Sequence, residues 1–120
     1  MNKLKKLPLL VIVLAIFGCT NDSDSDLLKT SENENITYTE VIKTIMDQKC
    51  NSCHGATPSN GAPMSLNTYE TVKEAVLNRG LIERISLVEG QSGFMPLGGS
   101  KLPQTQIDAI IQWQNDDFPL

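Results

Sequence analysis

Apolar and polar positions are unevenly spread along this chain, and each stretch has its own rhythm. The first eighteen residues, MNKLKKLPLLVIVLAIFG, carry three lysines and then a nearly unbroken apolar run from Leu7 to Phe17. A run of about eleven residues is short for a membrane span, and basic residues ahead of it are the pattern of an export signal. The next stretch, TNDSDSDLLKTSENEN (Thr20 to Asn35), is rich in Ser, Asp, Asn and Glu. It has almost nothing to bury and reads as a solvated tether.

From Thr37 the rhythm becomes helical. TYTE (Thr37 to Glu40) has the spacing of a capping box, and Tyr38, Val41, Ile42, Ile45 and Met46 then recur on one helix face that runs into Cys50. NTYE (Asn67 to Glu70) announces a second helix with Asn67 in the N-cap place, Tyr69, Val72 and Val76 inward, and Gly80 as its stop. LIERISLVE (Leu81 to Glu89) predicts a shorter helical piece. GQSGFMPLGGSKLP (Gly90 to Pro103) holds four glycines and two prolines and predicts a loop. QTQIDAIIQWQN (Gln104 to Asn115) predicts the last helix, with Ile107, Ile110 and Ile111 inward and Trp113 beside them. No run alternates as a strand would, so the expected fold is all-α, with about four short helices and long connections.

These boundaries divide the chain into an export signal (1–18), an acidic and polar tether (19–36) and a folded domain (37–120). Roughly 84 folded residues make a small core, and domains of that size usually need a disulfide, a metal or a large cofactor as a staple. Charge adds one exclusion. The chain has ten basic and fourteen acidic residues, and loss of Lys3, Lys5 and Lys6 with the signal takes its net charge from −4 to about −7. An excess of that sign argues against nucleic acid as a partner.

The end of the apolar run, IFGC (Ile16 to Cys19), resembles the lipobox of bacterial lipoproteins, although Phe17 is larger than the residue usual there. That resemblance implies cleavage before Cys19 and lipid on its sulfur, which would anchor the protein to a membrane. Asp22, Asp24 and Asp26 close behind it faintly resemble the acidic signals that send some lipoproteins to the cell surface; a plain spacer is the competing reading.

The candidate staple is CNSCH (Cys50, Cys53, His54), which contains the only histidine in the chain. This is the C-x-x-C-H pattern of covalent haem attachment. Two thiols three residues apart at a helix end can each add to one haem vinyl group, which sets the adjacent imidazole over the iron. A thioredoxin-type dithiol lacks its βαβ surroundings here, and a zinc site lacks a second Cys or His pair. A simple disulfide is compatible with export. The cysteine count favours haem, with two thiols for thioethers and Cys19 for lipid.

With no second histidine, a methionine sulfur is the natural candidate for a sixth iron ligand, since Met/His ligation is a known haem arrangement. Met46 lies on the inner face of the first helix and reads as core. Met64 follows His54 by ten residues, few for a chain that must round a haem edge, whereas Met95 follows by forty-one and sits among Gly93, Pro96, Gly98 and Gly99. Chain reach favours Met95 over Met64.

In order, a helix, CNSCH, middle helices, an MP loop and a C-terminal helix with a tryptophan resemble the class I cytochrome c fold from about Tyr38 to Asp116. The segments CHG, SLNTYETV, RI, MPLGG and IDAIIQW are similar to a bacterial monohaem type. The resemblance implies helices wrapped around one covalently bound haem c, with Cys50 and Cys53 as thioethers, His54 as proximal and Met95 as distal iron ligand. Pro63, or nearby Pro58, would offer a carbonyl to the His54 ring N–H. Ile42 and Met46 stand where many relatives have a glycine and an aromatic, which implies a looser or differently packed crossing of the first and last helices. Leu97 replaces a frequent second proline. Trp113 reads as a core and haem-edge residue, and Ile107, Ile111 and Leu66 as apolar haem cover.

The expected function is single-electron carriage between redox protein partners by an exported, membrane-anchored cytochrome, periplasm-facing or at the cell surface. With both axial positions filled, no catalytic residue is expected. The alternative is a haem-based gas-binding or sensing module in which a diatomic gas displaces Met95.

Overall fold

The computed structural model describes residues 35–120. The expected export signal, Cys19 and the tether up to residue 34 lie outside them. Thr37 caps the first helix as its TYTE context predicts, its side chain accepting from the Glu40 N–H at 3.3 Å. The first turn is wide. The N–H groups of Val41 and Ile42 both donate to the Thr37 carbonyl, at 3.1 and 3.2 Å, so Tyr38–Ile42 forms a π-type turn that runs into helix α1, Lys43–Lys49. One further helical turn, α2, Asn51–His54, follows Cys50 directly.

Helix α3 spans Tyr69–Asn78, α4 spans Leu81–Ser86 and α5 spans Gln104–Asn115. No strand occurs among the described residues, so the all-α class holds, with five short α-segments where about four were expected. The α3 cap differs from expectation. Thr68, not Asn67, is the N-cap, and it exchanges reciprocal bonds with Thr71. Both residues carry hydroxyls that can accept and donate, so the box closes one residue later; such a cap contributes about 1 kcal/mol. Gly80 takes φ +66°, the left-handed conformation that ends α3 and starts α4. Helix α4 stops at Ser86, short of the predicted Glu89, as Leu87 turns to extended backbone.

The helical stripes meet in one apolar cluster. Ile42, Ile45, Met46, Val72, Ile107, Ile110 and Trp113 are all buried within it, while Val41, Tyr69 and Ile111 pack against it half-buried. Ile42 and Met46 therefore occupy the core that joins the first and last helices. Four aromatic rings reinforce that junction: Trp113 meets Phe118 and Tyr69 edge-on, at 4.9 and 5.8 Å between centroids, and Tyr38 at a tilt of 35° and 5.9 Å. Edge-on aromatic pairs add about 0.5–1.5 kcal/mol each beyond area burial.

The C-terminal residues Phe118 and Pro119 fasten three helices at once. The Tyr38 N–H donates to the Pro119 carbonyl at 2.9 Å, as does Trp113 Nε1 at 2.8 Å. The Tyr69 hydroxyl donates to the Phe118 carbonyl at 2.9 Å. This tail ties the start of the first helix, the start of α3 and the end of α5 to one another.

Candidate functional site

Cys50 ends α1, and the chain at once winds into the α2 turn. The His54 N–H donates to the Cys50 carbonyl at 2.8 Å and the Cys53 N–H to the same oxygen at 3.1 Å. Both thiols are free and partly buried. Burial pushes the Cys50 thiol up to about 11 from its ordinary 9.0, because a thiolate there would lose its hydration.

The segment after the turn folds back over it. The Ser59 N–H donates to the Cys53 carbonyl at 2.8 Å, and Asn60 Nδ2 donates to Cys53 Sγ at 3.4 Å. Asn60 does this from φ +51°, which asparagine tolerates better than most residues. The Leu66 N–H closes the return on the His54 carbonyl at 2.7 Å.

His54 Nδ1 lies 2.8 Å from the Met64 carbonyl. A carbonyl only accepts, so Nδ1 carries a proton, and Nε2 is the ring nitrogen left to meet a metal. The acceptor is Met64, not the expected Pro63 or Pro58. Which carbonyl turns toward the ring is decided by the path of the return segment, and that path presents the oxygen one residue beyond Pro63.

Cys50, Cys53, His54 and Met64 line a cavity of about 880 Å³, together with Met95 from the loop between α4 and α5. That volume is near the upper end of the range of about 300–1,000 Å³ usual for small-molecule sites. Leu66, Ala75, Leu81, Ile85 and Leu102 supply apolar lining. Ile107 and Ile111, expected to cover the haem, are not among the lining residues, and neither is Trp113. Ile107 and Trp113 are instead sealed in the core, Trp113 against the aromatic cluster, and Ile111 packs against that core half-buried. Met46 is likewise core, only 1 % exposed.

Charge around the cavity departs from that of the chain. Lys49, Arg79, Arg84 and Lys101, four of the six basic residues in the described part, line it, and no acidic residue does. Sequence reading missed this asymmetry because the four are scattered over three helices' ends and a loop. The Met95 loop itself is tied to α4: the Met95 N–H donates to the Arg84 carbonyl at 3.2 Å.

This donor set suits haem c. Two free thiols flank a histidine of fixed tautomer, a soft thioether reaches the same cavity from another segment, and cationic side chains can face the two carboxylates that haem carries. Among the described residues, no three His, Cys, Asp or Glu side chains converge as a zinc site would require.

An all-helical fold around such a cavity is that of a class I monohaem c-type cytochrome, with one covalently bound haem c and its iron. Residues 39–113 match the model of the family described as cytochrome C oxidase, cbb3-type, subunit III, and the chain belongs to that family through this c-type cytochrome domain. Neither a curated protein nor a solved structure matches the chain.

Proposed function

We propose that this protein is an exported, lipid-anchored electron carrier whose haem is held by Cys50 and Cys53 and whose iron is ligated by His54 and Met95. The observation that carries the ligand assignment is the bond between His54 Nδ1 and the Met64 carbonyl. It engages the Nδ1 side of the ring, so Nε2 is the nitrogen available to iron, and it commits the Met64 backbone to the histidine's own side. Met95, on a separate loop lining the same cavity, is then the thioether free to approach from elsewhere.

When bound, the haem supplies one-electron chemistry through its iron. The chain's part is to fix the histidine tautomer, to offer a thioether, to present an apolar lining that limits water, and to place cations at the rim. A thioether ligand and apolar surroundings both favour iron(II) and raise the potential. Redox proteins are the expected partners.

The lipid anchor rests on Cys19 and the apolar run before it. No helix among the described residues is long and apolar enough to cross a membrane. Acylation of Cys19, after cleavage of residues 1–18, would supply attachment at the periplasmic or cell-surface side, with 19–36 as tether. Cys19→Ser is expected to move the protein from the membrane to the soluble fraction; retention on the membrane overturns the anchor.

The function is tested by absorption spectroscopy of protein matured in the periplasm. A low-spin c-type spectrum that carbon monoxide leaves unchanged in the reduced protein is the expected result. Rapid adduct formation at neutral pH would replace electron carriage with gas binding.

A further inference from the structure

The loop that carries Met95 leaves α4 at Leu87 and returns at Leu102, and one residue fastens its two ends. Lys101 Nζ donates to the carbonyl of Ser86, the last residue of α4, at 2.8 Å. The Lys101 backbone N–H donates to Glu89 Oε1 at 2.7 Å. Lys101 is half-buried and lines the same cavity as Met95.

Within the span, backbone bonds close short turns, Gln91 N–H to the Val88 carbonyl, Phe94 N–H to the Gln91 carbonyl and Gly99 N–H to the Pro96 carbonyl, each at 3.1 Å, and none of these joins its two ends. Gly90, Gly93 and Gly98 all take positive φ, and glycine loses the most conformational freedom on ordering. Met95 itself is held by one backbone bond, to the Arg84 carbonyl, and Arg84 Nη1 reaches the Gly93 carbonyl at a long 3.4 Å. The two short bonds of Lys101 are the ties that join the two ends of the loop. The first satisfies a carbonyl of the last turn of α4 that has no helical partner.

We propose that Lys101 is a positioning residue, which through the Ser86 and Glu89 ties holds Met95 on the iron and keeps the sixth position closed to outside ligands. The proposal rests on the reading of Met95 as distal ligand. An outside ligand binds only when the loop has opened, so its apparent affinity is the intrinsic one scaled by the open fraction. Opening the loop breaks the Lys101 bonds, so their strength contributes to that fraction.

The test is an imidazole titration of the full-length, haem-loaded oxidised protein and its variants. Lys101→Met is expected to bind imidazole about ten-fold more tightly, the effect of losing one net hydrogen bond from the closed state. Lys101→Arg, which can still donate to Ser86, should return the affinity toward the native value. Glu89→Ala, which removes the other tie, should tighten binding in the same direction and decides the matter if Lys101→Met does not accumulate. Native affinity in both Lys101→Met and Glu89→Ala overturns the clamp, and so does equal tightening in Lys101→Arg and Lys101→Met. Met95→Ala separates the two levels of the argument. If it retains the methionine-to-iron charge-transfer band, the ligand reading fails and the clamp with it. If it loses the band while the Lys101 and Glu89 variants bind imidazole natively, the clamp alone fails.

Discussion

The two segments that bring candidate iron ligands to the cavity are built in opposite ways. His54 sits in a turn bonded to its immediate neighbours, and the chain then folds back within twelve residues to engage its carbonyl and its ring through Leu66 and Met64. Met95 lies in a glycine-rich loop whose other backbone bonds close short turns within it; Met95 itself has one backbone bond to the helix before it, at the Arg84 carbonyl, and the loop's two ends are joined by side-chain ties. The histidine segment is local and doubly bonded; the methionine segment is long-range and sparsely bonded. Segments with few bonds of their own open at lower free energy than the body of a fold. On the proposed ligand assignment, the methionine side is where ligand exchange would begin, and the histidine side is where the haem would stay anchored.

The largest effect should come from cutting the local side. Replacing both Cys50 and Cys53 by Ser is expected to abolish covalent haem altogether, read as loss of haem mass and of haem staining in denaturing gels. Retained covalent haem would show that attachment does not use this turn. Cutting the long-range side should be gentler. Met95→Ala is expected to keep the covalent haem but lose the charge-transfer band of the oxidised protein, while Met64→Ala keeps both. The reverse pattern would move the sixth ligand to the histidine's own segment and erase the contrast.

The smallest effect concerns the local side before haem is attached. With the Cys50 thiol pushed up to about 11 by burial, its thiolate is scarce at neutral and mildly alkaline pH. Folding raises this group's pKa, so the stability tied to its protonated state is complete below the unfolded value near 9 and is lost as pH rises through about 11. In the haem-free chain, iodoacetamide at pH 8 should therefore label Cys53 ahead of Cys50. Equal rates would mean that the fold does not cover Cys50 until haem arrives.

Much of the scaffold could be read from residue order. The last helix runs from Gln104 to Asn115 as its periodicity predicts, Thr37 caps the first helix, and Gly80 ends the middle one. The haem-attachment pattern is legible because it is contiguous, and the family match agrees with the class of protein it implies. Other features were not legible. Asn67 and Thr68 are both good caps, and the hydroxyl at Thr71 chose between them. Ile107 and Ile111 share an apolar stripe with Trp113, and periodicity cannot say which neighbour that stripe faces. Here it faces the aromatic cluster rather than the cavity.

By itself, then, the order of residues determined the helices, the pairing of two thiols with one histidine, and the membership of the chain among c-type cytochromes. These depend on interactions within a few residues, which spacing encodes directly. The tertiary structure alone decided that the Met64 carbonyl meets His54, that four basic side chains gather around one cavity, and that Phe118 and Pro119 close the far end of the core. Those are meetings of groups far apart in the chain or of backbone atoms whose direction follows the path of a turn. No local pattern records them, because their geometry exists only once the helices have packed.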